Sequence, residues 1–239
     1  VNVSSTTGGQ LAEHAAMLGD GGEVRVAGVL FDMDGTLVDS VPAVEESWRL
    51  MAEEFGVPAL PATLHGQTAE AVVAAAGVRG DQHAHAIARL VEIESRPGQR
   101  LKALPGVQVF VESLPAGCWG VVTSAPRPVA RARYGATGLT PPAFFVTGDD
   151  VTASKPDPEP FSKGMAELGR RGVSGVVVAV EDTVAGVRSA RAAGCLTVGV
   201  TGTCTMAELA PEAHLVIRSF DQLCTMTTSP GVGLALAPS

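Results

Sequence analysis

The sequence predicts an α/β fold: a Rossmann-like, doubly wound parallel sheet with a small helical cap inserted after its first strand. Three observations carry this. Short apolar runs recur at Val26–Phe31, Trp119–Thr123, Phe144–Val146, Val176–Val180 and Leu196–Val200, separated by stretches with helical spacing; such alternation builds a parallel sheet with helices on both faces. The run Val176–Val180 has no polar alternation, as expected of a strand buried on both sides. Residues from about 42 to 104 break the rhythm with helical patterns and no convincing strand. A chain of 239 residues accommodates one medium core with such an insertion.

Taken in order, residues 1–23 are rich in Ser, Thr, Gly and Ala and read as a flexible tail. Residues 24–41 open the core, and the first strand ends in Phe31-Asp32-Met33-Asp34-Gly35-Thr36. Side chains two apart on a strand share a side, so Asp32 and Asp34 point together, and Gly35 permits the sharp turn behind them. Two carboxylates so close repel in a dry cleft. They invite either a divalent cation or a proton on one of them. A calcium loop is excluded, because its spacing would need Gly where Leu37 stands and Glu where Ala43 stands.

The cap, 42–104, should hold one helix from Pro42 to about Gly56 and two more at Thr68–Ala76 and Gln82–Ser95. Both its linkers then fall beside the acidic turn, where a lid could close over substrate. The core resumes over 105–224. Trp119–Thr123 ends in Thr123 and Ser124 at a second strand tip; such a hydroxyl, with N–H groups of the next helix, can hold a phosphate oxygen, although Ser and Thr there also serve as plain helix caps. Lys155 precedes a proline-rich approach to a helix at about Glu159–Leu168. The prolines restrict the backbone around it, and a fixed ammonium would offset a carboxylate and a phosphate together.

Glu181 and Asp182 follow the buried strand and precede a helix at Thr183–Ala193, with Val184, Val187 and Ala190–Ala192 as its apolar face and Gly194 as its stop. Asp182 could cap that helix. It also occupies a third strand tip on the same edge, where it could ligate the cation held by Asp32, and Mg2+ suits an all-oxygen site. Residues 225–239 read as a second flexible tail.

The formal charge is 17 − 25 = −8 without a basic run, which argues against a nucleic-acid or anionic-membrane partner. Cys118, Cys195, Cys204 and Cys224 show neither C-x-x-C pairing nor zinc-like spacing, the pattern of core thiols in a reducing compartment. No apolar run approaches the ~18 residues a membrane span needs, and the expected setting is cytoplasmic, as a monomer or weak homodimer.

The string Asp32–Ser40 (DMDGTLVDS) resembles the first signature of the haloacid dehalogenase superfamily. The order that follows, a hydroxyl strand end, Lys-Pro, then Glu-Asp after an apolar strand, matches that superfamily's remaining signatures over about residues 25 to 205. KPDPEPF, EDTVAGVRSARAAGC and the insert's LHGQT (Leu64 to Thr68) are similar to the branch that dephosphorylates small sugar and polyol phosphates.

The resemblance implies Asp32 as nucleophile and metal ligand, and Asp34 as acid/base with its backbone carbonyl on the metal. Lys155 becomes the charge clamp, Asp182 a magnesium ligand with Glu181 beside it, and Thr123 or Ser124 the phosphate-binding hydroxyl. Arg127 and His65 are further candidates for contact with substrate, a small phosphorylated metabolite such as a sugar, polyol or cyclitol phosphate. A sugar phosphomutase is the nearest rival, but relatives with that activity carry an arginine shortly after the cap glycine, and here Gly66 is followed by Gln67, Thr68 and Ala69. A silent binding module that has kept only the fold is the non-enzymatic alternative.

Overall fold

The computed structural model describes residues 8–19, 22–96, 101–227 and 232–236. Val24–Val26 (β1) and Gly28–Phe31 (β2) are separate strands. Helices α2 (Val41–Phe55), α3 (Ala69–Ala75) and α4 (Asp81–Glu94) form the insertion, after an initial helix α1 (Gly8–Gly19). The chain then alternates: α5 (Val107–Ser113), β3 (Trp119–Val122), α6 (Arg127–Ala136), β4 (Phe145–Val146), α7 (Glu159–Arg170), β5 (Val177–Glu181), α8 (Val184–Ala192), β6 (Leu196–Val200), α9 (Met206–Leu209), β7 (Leu215–Ile217), β8 (Leu223–Thr227) and β9 (Val232–Leu236).

Six strands form a parallel sheet in the order β4-β3-β2-β5-β6-β7. β2, β3, β5 and β6 are buried along their whole length, which is why they read as unbroken apolar runs. The chain order reverses beside β2, and a crevice opens at that switch point beyond the strands' C-terminal ends. Phe31 anchors one face, meeting Phe110 and Trp119 edge-on at centroid separations of 6.1 and 5.8 Å, a favoured aromatic geometry.

Two expectations need correction. The run Val26–Phe31 is broken at Ala27, and Val26 belongs to a second sheet, antiparallel and ordered β1-β9-β8. The ends of the chain are also not featureless: α1 buries Leu11 in the main core cluster, and β9 buries Val232 and Leu234 there. Small residues hid both, since a short strand with Gly and Ala between its apolar positions carries little alternation. The remaining tail positions, 1–7, 20–21, 228–231 and 237–239, lie outside the described residues.

The insertion has its own apolar centre, in which Met51, Val72, Val73 and Leu90 pack together. Its two linkers run side by side: Val38 bridges Ala103, Asp39 N–H donates to the Lys102 carbonyl (2.9 Å) and Leu104 N–H to that of Leu37 (3.0 Å).

Candidate active site

The loop after β2 curls back at once, with the Leu37 and Val38 amides donating to the Met33 carbonyl (both 2.9 Å) and Gly35 N–H to Val38 (2.9 Å). This keeps Asp32 and Asp34 at the strand tip. Gly35 adopts φ +82°, and a Cβ there would lie 2.1 Å from Asp182 Oδ2, so glycine is required twice over.

Lys155 is buried to 1% exposure. Its Nζ donates to Asp32 Oδ1 (2.6 Å), Glu181 Oε1 (2.8 Å) and the Val122 carbonyl (3.1 Å). Burial alone would pull its pKa down, but the two carboxylates reverse this and hold the ammonium above its ordinary value. Glu181 Oε2 accepts from Asp182 N–H, Thr183 N–H and Thr183 Oγ1 at 2.9 Å each. Both Glu181 oxygens are thus engaged in fixing the lysine and the turn. Gly186 makes room for this carboxylate, since a Cβ there would meet Oε1 at 1.7 Å.

Oxygen atoms of Asp32, Glu181 and Asp182 lie within 4.8 Å of one another, all buried. Thr36 Oγ1 donates to Asp182 Oδ1 (3.1 Å), while among the described residues the buried Asp182 Oδ2 has no hydrogen-bond partner of good geometry. Burial and the neighbouring Glu181 push Asp182 up to about 7, and burial lifts Asp32 well above its ordinary value against the pull of Lys155. One ammonium therefore does not offset three buried carboxylates. A hard divalent cation fits the deficit, the all-oxygen donors and the orphaned Oδ2.

Thr123 is buried at the cleft and accepts the Ala125 N–H on Oγ1 (3.1 Å). Ser124 instead donates its hydroxyl across to the Gly66 carbonyl of the insertion (2.6 Å). The cleft between core and insertion is lined by Asp32, Asp34, Thr123, His65, Glu94 and Arg133 among others. His65 stacks on Trp48 at 4.8 Å and approaches Glu45 Oε1 at 3.2 Å. Arg127 does not join them: its guanidinium grips both oxygens of Asp150 (2.6 Å each), away from the cleft lining.

Arg133 was not marked by the sequence motifs, and Ser40, the last residue of the first motif, was given no role there. Arg133 on α6 donates to Asp34 Oδ1 (2.9 Å) and pairs with Glu94 of α4 (3.0 Å), and Ser40 donates to the same Asp34 oxygen (2.5 Å). One signal was present: Arg133 shares the buried face of its helix with Val129, Ala130 and Tyr134, where a charge needs a partner.

A parallel sheet whose strand tips gather acidic groups and a buried lysine under a helical cap defines a hydrolase with a capped acidic centre. The sequence model for haloacid dehalogenase-like hydrolases matches residues 26–194, and the chain belongs to that family. It is 39% identical to hexitol phosphatase A of Escherichia coli strain K12 over 213 residues, covering 87% of this chain and 97% of the relative. It is 30% identical to glycerol-1-phosphate phosphohydrolase 2 of Saccharomyces cerevisiae over 193 residues, 75% and 76% of the two chains. The fold matches that of a hydrolase from Pseudomonas syringae with a TM-score of 0.69 at 23% identity, over 80% of this chain and 93% of the other.

Proposed function

We propose that this enzyme is a magnesium-dependent phosphatase that hydrolyses a small sugar or polyol phosphate monoester. The observation that carries the reading is the convergence of Asp32 and Asp182, brought from two strand ends to one buried point, with Lys155 reaching Asp32 from the loop before α7. Asp32 attacks phosphorus in line, forming an aspartyl-phosphate as the P–O bond to the leaving group breaks. Asp34 gives its proton to the departing alkoxide, then takes one from the water that hydrolyses the intermediate. Lys155 holds Asp32 in place and offsets charge on the transferring group, and Thr123, which lines the cleft, holds a phosphate oxygen. Asp32, Asp182 and the Asp34 carbonyl would hold Mg2+, which supplies charge neutralisation at the phosphoryl oxygens. Glu181 fixes the lysine.

The names of two similar relatives favour hexitol and glycerol phosphates as first substrates to try, and Gln67 and His65 at the cleft suit hydroxyl groups. A panel of polyol, hexose, cyclitol and nucleotide monophosphates, assayed for phosphate release with Mg2+ and with chelator, tests the reading. Release from a polyol or sugar ester that stops on chelation and in Asp32→Asn is expected; no release from any ester would overturn it.

A further inference from the structure

We propose that Arg133, tethered to the insertion by Glu94, is a positioning residue that directs the proton-bearing oxygen of Asp34 toward the leaving group when the cap is closed. The inference rests on the phosphatase reading above and goes beyond it.

Arg133 is 4% exposed in its side chain and sits between two carboxylates from different parts of the molecule, Asp34 at the β2 tip and Glu94 at the last turn of α4. Burial alone would lower its pKa, but Asp34 and Glu94 outweigh this, so the group stays a cation that can only donate. Among the described residues its Nε and Nη2 make no hydrogen bond, and Nη2 meets Glu94 Oε1 at 3.0 Å as an ion pair, so Nη1 on Asp34 is the guanidinium's directional contact at the cleft. Buried ion pairs add little to stability compared with apolar packing. A buried cation facing the cleft therefore points to a task there.

The task follows from which oxygen it touches. Arg133 Nη1 and Ser40 Oγ both donate to Asp34 Oδ1. An oxygen that already accepts two hydrogens has no room for a proton of its own. The acid proton then belongs on Oδ2, and fixing Oδ1 against Arg133 and Ser40 fixes where Oδ2 points. As the phosphorus–oxygen bond to the leaving alkoxide breaks and the bond to Asp32 forms, the proton passes from Oδ2 to the alkoxide. In the second half, the attacking water returns a proton to Oδ2 while the Asp32–phosphorus bond breaks. Glu94 belongs to the cap, so the guanidinium is held in this geometry only while the cap sits against the core.

The leaving group provides the test. An alkyl phosphate departs as a strongly basic alkoxide and needs the proton; 4-nitrophenyl phosphate departs as a stable phenolate and needs it far less. With glycerol phosphate, Arg133→Met should lower kcat by roughly 100-fold, the lower end of what a general acid contributes. With 4-nitrophenyl phosphate the loss should stay below about tenfold, and KM for either ester should move less than about threefold, since an interaction made mainly in the transition state is removed. Arg133→Lys should recover part of the loss on the alkyl ester.

Glu94→Gln, which keeps shape and removes the tether's charge, should shift the alkyl-to-aryl ratio in the same direction by about tenfold, and it serves as the decisive variant if Arg133→Met does not fold. Equal losses on both esters, or a change confined to KM, would overturn the inference while leaving the phosphatase reading intact. Wild-type enzyme that releases phosphate from none of the esters in the panel, and not from the aryl ester, would remove both.

Discussion

Lys155 shows how much one side chain can be asked to do. Replacing it with Met leaves Asp32 and Glu181 buried without their shared cation, and breaking a buried pair from one side costs about 3–5 kcal/mol. Urea unfolding of Lys155→Met should therefore show a loss of that order along with lost turnover. Gly35→Ala makes the opposite kind of error, adding a methyl group where Asp182 Oδ2 lies and forcing a side chain onto φ +82°. Weakened Mg2+ binding, read by calorimetry, is the expected result, and unchanged affinity would count against Asp182 as a ligand. These residues were legible in the chain because each lies in a short contiguous motif, at a strand tip or, for Lys155, in the proline-rich loop before α7. Arg133 and Glu94 were not, because nothing local in either helix tells that the two will face each other across a cleft. Arg127 was misleading for the converse reason, its neighbour Asp150 being distant in sequence and close in space.

At the scale of elements, the central strands announced themselves because burial on both faces leaves no polar position to interrupt them. The edges of the structure did not. β7, β8 and β9 are short or half-buried, and no strong pattern separates them from loop. The junction of β6 with the segment entering β7 depends on His214, whose Nδ1 accepts the Thr197 N–H (3.1 Å) while its own N–H donates to Thr197 Oγ1 (3.2 Å). Burial, helped by the charge of Arg191, lowers the pKa of His214. The folded state thus binds its proton less readily than the unfolded chain, whose histidines titrate near ~6.5. This contribution to stability is complete above that value and fades as pH falls through the lower folded pKa. Urea midpoints measured on either side of neutrality should show the decline, and His214→Asn should flatten it.

For the molecule as a whole, the space left in the cleft is about 50 Å³, far below the ~300 Å³ at which small-molecule pockets begin. The cap as described is closed, and substrate entry requires it to move. The paired linkers at Val38 and Ala103 leave a narrow ribbon for that motion, and the Ser124–Gly66 hydrogen bond is one of the contacts that must break. Ser124→Ala removes it at a cost of about 0.5–1.5 kcal/mol to the closed form. The expected outcome is a several-fold change in KM with product inhibition by inorganic phosphate retained, because Thr123 remains. Loss of phosphate binding in Ser124→Ala, with Thr123→Val unaffected, would reassign the hydroxyl.

The pairing of β1 with β9 bears on how the protein is made. Val24–Val26 leaves the ribosome long before its hydrogen-bonding partner, Val232–Leu236. Until that partner is made, β1 must wait as an unpaired ribbon beside a sheet that can assemble without it, and an unpaired ribbon is open to capture by other chains. Nascent chains halted before Val232 should therefore already hold the parallel sheet but still expose β1 to protease and to chaperones, until the closing strand arrives to cover it.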